Sequence, residues 1–316
     1  MKKLVGIGLF LAILYGALLL SDPGASSLQN HLNLGKRIGL YGILSLGAGM
    51  LIITGGIDLS IGAVVGLSST LLAVLLVDYG VPPLPAMLLV MLMGGLIGVI
   101  HGLLVTRVKL QAFVVTLCGL FIYRGLSRWI ANDSIKGLGN QFEDWKWLLS
   151  YNRPLGLPTS LVVLLILMAA ATVFLHFSVY GRYFYAIGSN DKAASYSGIA
   201  TDRYKILAYV LCSGLAALFG ILELMQNNSA QPSSAGEFYE LYAIAGAVLG
   251  GCSLRGGEGT VLGIFIGTAI LWLLPNFNNM VGISSTLEKI VIGTALLLGA
   301  VLDEVLRRRN AVRAGT

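Results

Sequence analysis

Long apolar runs alternate with short polar segments along almost the whole chain. A transmembrane helix needs about 20 mostly apolar residues, and several of the runs are that long. Three are shorter, at 110–123, 241–254 and 290–302, so they must borrow flanking residues or form broken or re-entrant helices. The pattern predicts an all-α, polytopic membrane protein with nine or ten transmembrane or re-entrant helices, in one domain over residues 1–316. The ten runs without a charged residue, histidine not counted, are 4–21, 38–57, 59–77, 79–106, 110–123, 154–180, 206–222, 241–254, 259–287 and 290–302.

The composition excludes an ordinary soluble protein. Hydrophobic residues make up 56% of the 316 positions and charged residues 11%, whereas soluble domains carry about 25% charged residues. Disorder is excluded for the same reason. The formal net charge is +6, but the basic residues are scattered between apolar runs and form no continuous stripe. Membrane lipid is therefore an expected partner, and nucleic acid is not.

Lysine and arginine predict the orientation, because cytoplasmic loops carry an excess of both. With ten crossings and a cytoplasmic N-terminus, 13 of the 21 basic residues fall inside, and both termini are cytoplasmic. Lys36 and Arg37 are exceptions, placed in the first outer loop. The inner set comprises Lys2, Lys3, Arg107, Lys109, Arg182, Lys192, Arg203, Lys205, Arg255, Arg307, Arg308, Arg309 and Arg313.

The N-terminal segment has two interpretations. Lys2 and Lys3 precede the apolar run from Leu4 to Leu20, a pattern that secretory signal peptides share. The run is longer than a usual signal core, and no small-x-small cleavage site follows it. We therefore expect a first helix that is retained.

Two long polar loops interrupt the apolar pattern. Residues 131–157 lie outside by parity, and their DWKWL stretch at 144–148 is typical of an interfacial aromatic anchor. Residues 178–203 lie inside. Within them the letters AASYSGI predict a short helix that opens after Ser189-Asn190-Asp191.

The segment GGIDLSIGA at 55–63 predicts a break between two helices. Gly55 and Gly56 can end a helix in the left-handed conformation, and Asp58 or Ser60 can cap the helix that follows. A carboxylate within a membrane is costly unless it is satisfied. Two interpretations stay open, a purely structural cap and a break at a substrate pathway. GGCSLR at 250–255 repeats the Gly-Gly-x-x-Leu pattern at an offset of 195, which suggests an internal repeat.

Five further polar residues lie in or beside apolar runs. His101 and His176 are expected to be packed or interfacial, with a proton relay as the alternative. Arg124 and Arg128, one helical turn apart, are expected to snorkel to the headgroups. For Glu223 the sequence leaves open whether it faces a pathway or the interface.

Small residues four positions apart predict close helix packing. They occur at Gly62/Gly66, Gly94/Gly98/Gly102 and Gly263/Gly267. Cys118, Cys212 and Cys252 lie in apolar stretches without metal-ligand spacing, so we expect three buried cysteines and no metal site.

The chain carries no motif of a catalytic centre. It has no G-x-x-x-x-G-K-[ST] phosphate loop, no G-x-S-x-G elbow and no H-E-x-x-H pair. We therefore expect a chain that is not an enzyme, with no catalytic residue and no cofactor.

Six ordered segments resemble the membrane permease of ribose-type ABC importers, which bring monosaccharides into bacteria. The resemblance covers residue 38 to the C-terminus. Cys252 and Arg255 depart from it, since Thr and a small residue are expected there. The segments are GGIDLSIGA at 55–63, KLQAFVVT at 109–116 with Arg124-Gly125 beyond it, RPLGLPT at 153–159, GRYFYAIGSNDKAASYSGI at 181–199, SAQPSSAGEFYELYAIAGAVLGG at 229–251 and SLRGGEGTVLG at 253–263.

The resemblance implies a permease in the bacterial inner membrane that moves a ribose-like sugar. Implied partners are two cytoplasmic ATPase subunits that bind ATP and Mg, a periplasmic sugar-binding protein, and a second permease copy in a homodimer or related heterodimer. The segment 181–199 would then be the cytoplasmic coupling helix. The alternative is a proton- or sodium-coupled secondary transporter in which Asp58, Glu223 and the histidines form a relay.

The residues expected to act divide into two sets. Coupling to the ATPase is assigned to Gly188, Asn190, Ala193, Ala194, Ser197 and Gly198. The helix break and pathway are assigned to Gly55, Gly56, Asp58, Ser60, Gln231 and Pro232.

Overall fold

The computed structural model describes residues 2–282 together with 290, 293, 294 and 297. Seven of its helices are long and apolar enough to cross a membrane, and two shorter apolar helices accompany them. The prediction of an all-α polytopic protein is confirmed. The run at 290–302 and the basic residues at 307–313 lie almost entirely outside the described residues. The α-helices of the described part are α1 Lys2–Ser21, α2 Leu28–Ile53, α3 Ile61–Val77, α4 Pro83–Thr106, α5 Ala112–Ile130, α6 Glu143–Lys146, α7 Thr159–Thr172, α8 Val179–Ser189, α9 Asp191–Tyr196, α10 Thr201–Asn227, α11 Tyr239–Leu249 and α12 Val261–Met280.

The first long helix of the core, α2, begins ten residues before the apolar run that predicts it. Ser27 stands at its N-cap, and the Ser27 side chain accepts a hydrogen bond from the Asn30 backbone N–H at 3.2 Å. Lys36 and Arg37 therefore lie inside α2, so their predicted place in an outer loop is wrong. Arg37 is accommodated because its guanidinium lies 5.3 Å from the centre of the Trp272 ring.

Helix α10 lies at the centre of the bundle and packs on α4, α3 and α2. The stripe Gly94, Gly98 and Gly102 on α4 faces α10 at backbone distance. A Cβ at Gly98 would lie 2.5 Å from the Tyr209 carbonyl oxygen, and one at Gly102 would lie 2.7 Å from the Ile206 Cα. The predicted close packing is confirmed here, because only glycine leaves room for the neighbouring main chain.

A second close contact joins α11 to α12. A Cβ at Gly263 would meet the Gly250 carbonyl oxygen, and one at Gly267 would meet the Gly246 carbonyl oxygen. Gly62 and Gly66, in contrast, face a loop rather than a helix.

The two Gly-Gly segments end their helices in the same way. Gly55 has φ +80° and Gly251 has φ +93°. At the first, the N–H groups of Gly55 and Gly56 bond to the carbonyls of Ile52 and Leu51 at 2.8 and 3.1 Å. At the second, Gly251 and Cys252 bond to Val248 and Ala247 at 2.8 and 3.0 Å. Both are Schellman motifs. The matching residues are Gly55 and Gly251, an offset of 196 rather than 195.

The segment between α5 and α7 is ordered by contacts with the end of α10. Its strand β1 (Lys136–Gly137) pairs antiparallel with β2 (Ser229–Ala230). Lys146 is only 3% exposed, and its Nζ bonds to the Gly139 carbonyl at 2.9 Å and the Asn228 side-chain oxygen at 3.3 Å. Trp147, in the stretch predicted to anchor at an interface, is exposed.

The cysteines divide into two classes. Cys212 and Cys252 are buried as predicted, but Cys118 is exposed on α5. The prediction was wrong for Cys118 because an apolar sequence does not distinguish a helix face that packs from one that points outward. No cluster of His, Cys, Asp and Glu that could hold a metal ion occurs among the described residues.

Candidate functional site

The break between α2 and α3 is centred on the buried carboxylate of Asp58. Its Oδ1 accepts hydrogen bonds from the Ser60 backbone N–H at 2.8 Å and the Ser60 hydroxyl at 2.6 Å. Ser60 occupies the N-cap position of α3 but makes no side-chain cap bond. The predicted cap is therefore wrong in its detail. The Asp58 side chain stabilises the turn before the helix rather than the first amides of α3.

Asp58 is joined to two other helices through a buried histidine. The Asp58 Oδ2 lies 3.6 Å from His101 Nδ1 on α4, and the Tyr123 hydroxyl on α5 lies 2.9 Å from His101 Nε2. Gly119 makes room for this ring, because a Cβ there would lie 2.8 Å from His101 Nε2. The Tyr209 hydroxyl of α10 donates to the Ile57 carbonyl at 3.2 Å. The break is thereby held by side chains from α4, α5 and α10.

The residues of the alternative relay do not come together. His101 lies beside Asp58, but Glu223 accepts a hydrogen bond from the Tyr239 hydroxyl at 2.7 Å. His176 stacks on Tyr185, with the ring centres 6.3 Å apart. Among the described residues, no hydrogen bond, ion pair or ring contact joins Glu223 or His176 to Asp58.

A loop at residues 231–238, which we call the strap, follows β2 and lies against α3. A Cβ at Gly62 would meet the Gly236 carbonyl, and one at Gly66 would lie 2.6 Å from the Ala235 carbonyl. The Arg124 guanidinium on α5 donates to the Ala235 carbonyl at 2.5 Å. The prediction that Arg124 snorkels is therefore wrong, because the strap supplies a carbonyl acceptor for its charge.

Arg128 behaves differently from Arg124. It is exposed and forms two hydrogen bonds to the Asp133 carboxylate, at 2.9 and 2.6 Å. The Arg128 guanidinium holds the pKa of the Asp133 carboxyl below its usual value. This pair closes the end of α5 at the surface, outside the bundle.

The segment between α7 and α10 forms two capped helices. The Ser178 hydroxyl accepts from the Gly181 N–H at the start of α8, and the Asn190 side chain accepts from the Ala193 N–H at the start of α9. Gly198, at φ +83°, follows the end of α9. The predicted short helix after Ser189-Asn190-Asp191 is confirmed, with Asn190 as its cap.

The faces of α9 differ in exposure. Lys192, Ala193 and Ser197 are exposed, and Tyr196 is 90% exposed. Ala194 is only 4% exposed. Ala194 therefore packs on its own chain and is unavailable to a docking partner, because consecutive helical residues point about 100° apart.

Main-chain contacts join the end of α8 to the last residue of α2, just before the first Gly-Gly break, and to the loop that follows the second break. The Gly257 N–H donates to the Ile53 carbonyl at 2.9 Å, and a Cβ at Gly188 would meet the Ile53 oxygen and the Gly257 nitrogen. We call Gly188, Ile53 and Gly257 the joint. Nearby, the Tyr185 hydroxyl donates to the Gly259 carbonyl at 2.9 Å, and burial raises the pKa of Tyr185 to about 12.

The surface beside α9 is concave and charged. A groove of about 660 Å³ runs between α9, the start of α10 and the loop after α4. Arg107 and Lys109 each lie 3.8 Å from the Asp202 carboxylate at its wall, and Lys205 lies 2.7 Å from Asp191. These partly exposed pairs contribute little stability, but they give the groove a fixed pattern of charge.

Known proteins similar to the chain are permeases. The chain matches the family described as the permease component of the branched-chain amino acid transport system over residues 30–300. It is 39% identical to a ribose import permease protein of Bacillus subtilis (strain 168) over 306 residues, 96% of this chain and 92% of the relative. It is 37% identical to a ribose import permease protein of Escherichia coli (strain K12) over 283 residues, 89% of this chain and 88% of the relative.

A third relative carries a different name. The chain is 34% identical to an autoinducer 2 import system permease protein of Enterobacter sp. (strain 638) over 306 residues, 95% of this chain and 86% of the relative. No solved structure gives a significant match.

Proposed function

We propose that the chain carries ribose or a related monosaccharide. It belongs to the family of permease components of the branched-chain amino acid transport system, and it is an ABC-importer permease rather than an enzyme. Relatives of 37–39% identity that are named for ribose import support this substrate class. The separation of Glu223 and His176 from Asp58 gives no support to a secondary transporter.

The proposed assembly contains two copies of the permease or a pair of related subunits in the bacterial inner membrane. Cytoplasmic ATPase subunits bind ATP and Mg, and a periplasmic sugar-binding protein delivers the substrate. The absence of a phosphate loop from the sequence supports the assignment of ATP to a partner. In this arrangement α8 and α9 are cytoplasmic and the 131–158 segment is periplasmic.

The observation that carries this proposal is the joint between α8, the end of α2 and the loop between α11 and α12. An exposed helix, α9, is attached directly to α8, whose last turn contacts Ile53 and Gly257. A displacement of α9 would therefore reach the end of α2 and the loop between α11 and α12 through main-chain contacts. That loop begins at the second Gly-Gly break, so the same displacement bears on the ends of α2 and α11.

One uptake experiment tests the proposed function. Cells that carry the permease with its ATPase and binding protein are given labelled D-ribose, and uptake is measured after ATP depletion and, separately, after collapse of the proton gradient. Uptake that stops on ATP depletion and survives the protonophore supports the proposal. Uptake that needs only the proton gradient would contradict it.

A substitution on α9 tests the docking role. Ala193→Trp adds bulk to the exposed face and should abolish association with the ATPase while leaving the permease folded in the membrane. Ala12→Trp, at an exposed position of α1, is the matched control and should leave association unchanged. Co-purification of the ATPase with each variant gives the answer. Normal association and uptake by Ala193→Trp would show that α9 is not part of the docking surface.

A further inference from the structure

The strap leads from the outer end of α10 to the start of α11 and lies at membrane depth. Before it, Ala230 packs in a buried cluster with Leu72 and Ala73 of α3. At its other end, Gly236 contacts Gly62 in the first turn of α3. From Ala73 to Gly62 the helix rises by about 16 Å at 1.5 Å per residue. The strap therefore descends along most of an uncharged helix.

The outer face of the strap is polar and exposed at this depth. Gln231 is exposed at the outer end of the strap, and Glu237 and Phe238, which is 44% exposed, are exposed at its inner end. Irregular backbone at membrane depth is tolerated only where it is buried in protein or lines a water-filled cavity, and charged side chains there face such a cavity. The exposed face of the strap is therefore turned away from lipid, towards water or towards a second permease copy.

The strap is held in place by contacts with Arg124 of α5 and with the first turn of α11. Arg124 donates to the Ala235 carbonyl and lies in the electrostatic field of Glu240 and Glu237. Phe238 has φ +64°, which is unfavourable for a phenylalanine, and its carbonyl accepts hydrogen bonds from the first turn of α11 at 3.0 and 3.3 Å. Strained backbone persists where the surroundings hold it, and it occurs frequently at binding sites.

The chemistry of this face suits a neutral sugar. A carboxylate and a carboxamide accept hydrogen bonds from hydroxyl groups, and an aromatic ring offers an apolar surface to the C–H face of a sugar ring. We propose that Glu237 and Phe238 contact the sugar in transit and determine which sugar passes, with Arg124 as a positioning residue that holds the strap. This inference rests on the proposed function.

The test compares Phe238→Asn and Glu237→Gln with the wild-type chain, in permease assembled with its ATPase and binding protein. Asparagine tolerates the left-handed backbone, so it removes the ring without added strain. Phe238→Tyr is the conservative rescue. Phe10→Ala on α1 and Asp144→Asn in the outer segment are matched controls at exposed positions. Uptake of labelled D-ribose, D-xylose and D-galactose is measured per assembled permease, together with ATP hydrolysis stimulated by the binding protein.

We expect Phe238→Asn to lower uptake about tenfold, the effect of one lost contact, while ATP hydrolysis stays within about twofold of wild type. Phe238→Tyr should restore uptake, and Glu237→Gln should change the ratio of the three sugars. Unchanged rates and ratios in both variants would overturn the inference. If either variant no longer associates with its second permease copy, the face is a subunit contact, and this result would also overturn the inference. A wild-type permease that carries none of the three sugars would instead refute the proposed function.

Discussion

At the residue scale, the central feature is a carboxylate that is buried in an apolar bundle with only one of its two oxygens hydrogen-bonded. Asp58 is 2% exposed, and its Oδ1 accepts both hydrogen bonds that Ser60 donates. Its second oxygen faces His101 at 3.6 Å. An Asp58 that mainly shapes the turn needs an acceptor at Oδ1, and it does not need a full negative charge.

This distinction predicts different outcomes for two substitutions. Asp58→Asn retains the acceptor at Oδ1, so the permease should fold and transport almost normally. Asp58→Ala leaves a buried N–H and a buried hydroxyl without an acceptor, which costs about 1–3 kcal/mol for each group, and should lower the yield of folded permease.

Uptake per folded permease, with folded protein measured by gel filtration in detergent, separates the cases. Ser60→Ala is the control, because it removes one donor and leaves the backbone N–H bonded. An Asp58→Asn variant that folds well but does not transport would show that the charge itself acts in the pathway.

The sequence could identify Asp58 but not its neighbours. The Gly-Gly pair and the acid stand together in an apolar run, so the break is visible from local pattern alone. His101 and Tyr123 lie 43 and 65 positions further along the chain, and only the packing of α4 and α5 brings them to the break. Arg124 was misjudged for the same reason, since its acceptor at Ala235 is far away in sequence.

At the element scale, glycine determines how closely α4 and α10 approach. Gly98 faces the main chain of Tyr209, whereas Gly95, three positions earlier on α4, has nothing within 4 Å of where its Cβ would stand. The two glycines belong to the same helix and differ only in the face they occupy.

The pair supplies a matched test. Gly98→Ala should destabilise the permease by about 1–3 kcal/mol, because the added methyl overlaps a carbonyl that cannot move without its helix. Gly95→Ala should be neutral or stabilising by up to about 1 kcal/mol, since alanine favours the helix. Thermal unfolding of the two variants in detergent measures the difference. Equal midpoints would show that α4 and α10 are not in contact at Gly98.

The helices themselves were predictable, and their ends were not. Apolar runs locate α3 to within two residues at its start and exactly at its end, because a Gly-Gly break and an aspartate flank it. Helix α2 extends past its run because Ser27 caps it and because polar residues of its first turns have partners, Asn30 in Asn276 of α12 and His31 in Tyr15 of α1. Helix α5 likewise takes in Arg124 and Arg128. The contact of the strap with α3 could not be predicted, since Gly236 and Gly62 are 174 positions apart in the sequence.

At the scale of the whole molecule, the segment between α5 and α7 and the helix pair α8–α9 lie at opposite ends of the bundle. Helix α7 joins the 131–158 segment at one end to α8 at the other. If α9 docks a cytoplasmic ATPase, the strand pair β1–β2 must be periplasmic. The positive-inside distribution gives the same orientation.

Cysteine labelling checks this orientation. In a background without the three native cysteines, Ile135→Cys should react with an impermeant thiol reagent in cells with a permeable outer membrane, and Lys192→Cys should not. Ile135 is 65% exposed, whereas the neighbouring Lys136 is paired with Asp78 at 2.6 Å, so Ile135 is the better position. Lys192→Cys in opened cells is the control for reactivity. Labelling of Lys192→Cys in intact cells would show that the orientation in the membrane is the reverse of the one proposed.

The joint between α8, the end of α2 and the loop between α11 and α12 is made of main-chain atoms, and this has a consequence for how such a protein can diversify. The Gly257 N–H, the Ile53 carbonyl and the bare Cα of Gly188 form it. Apart from requiring glycine at 188 and 257, this linkage depends on no side chain, so substitutions elsewhere that change the transported solute leave it intact. The residues that contact the substrate and the contacts that couple α9 to the bundle can therefore change independently. The fold can acquire new substrates one surface residue at a time.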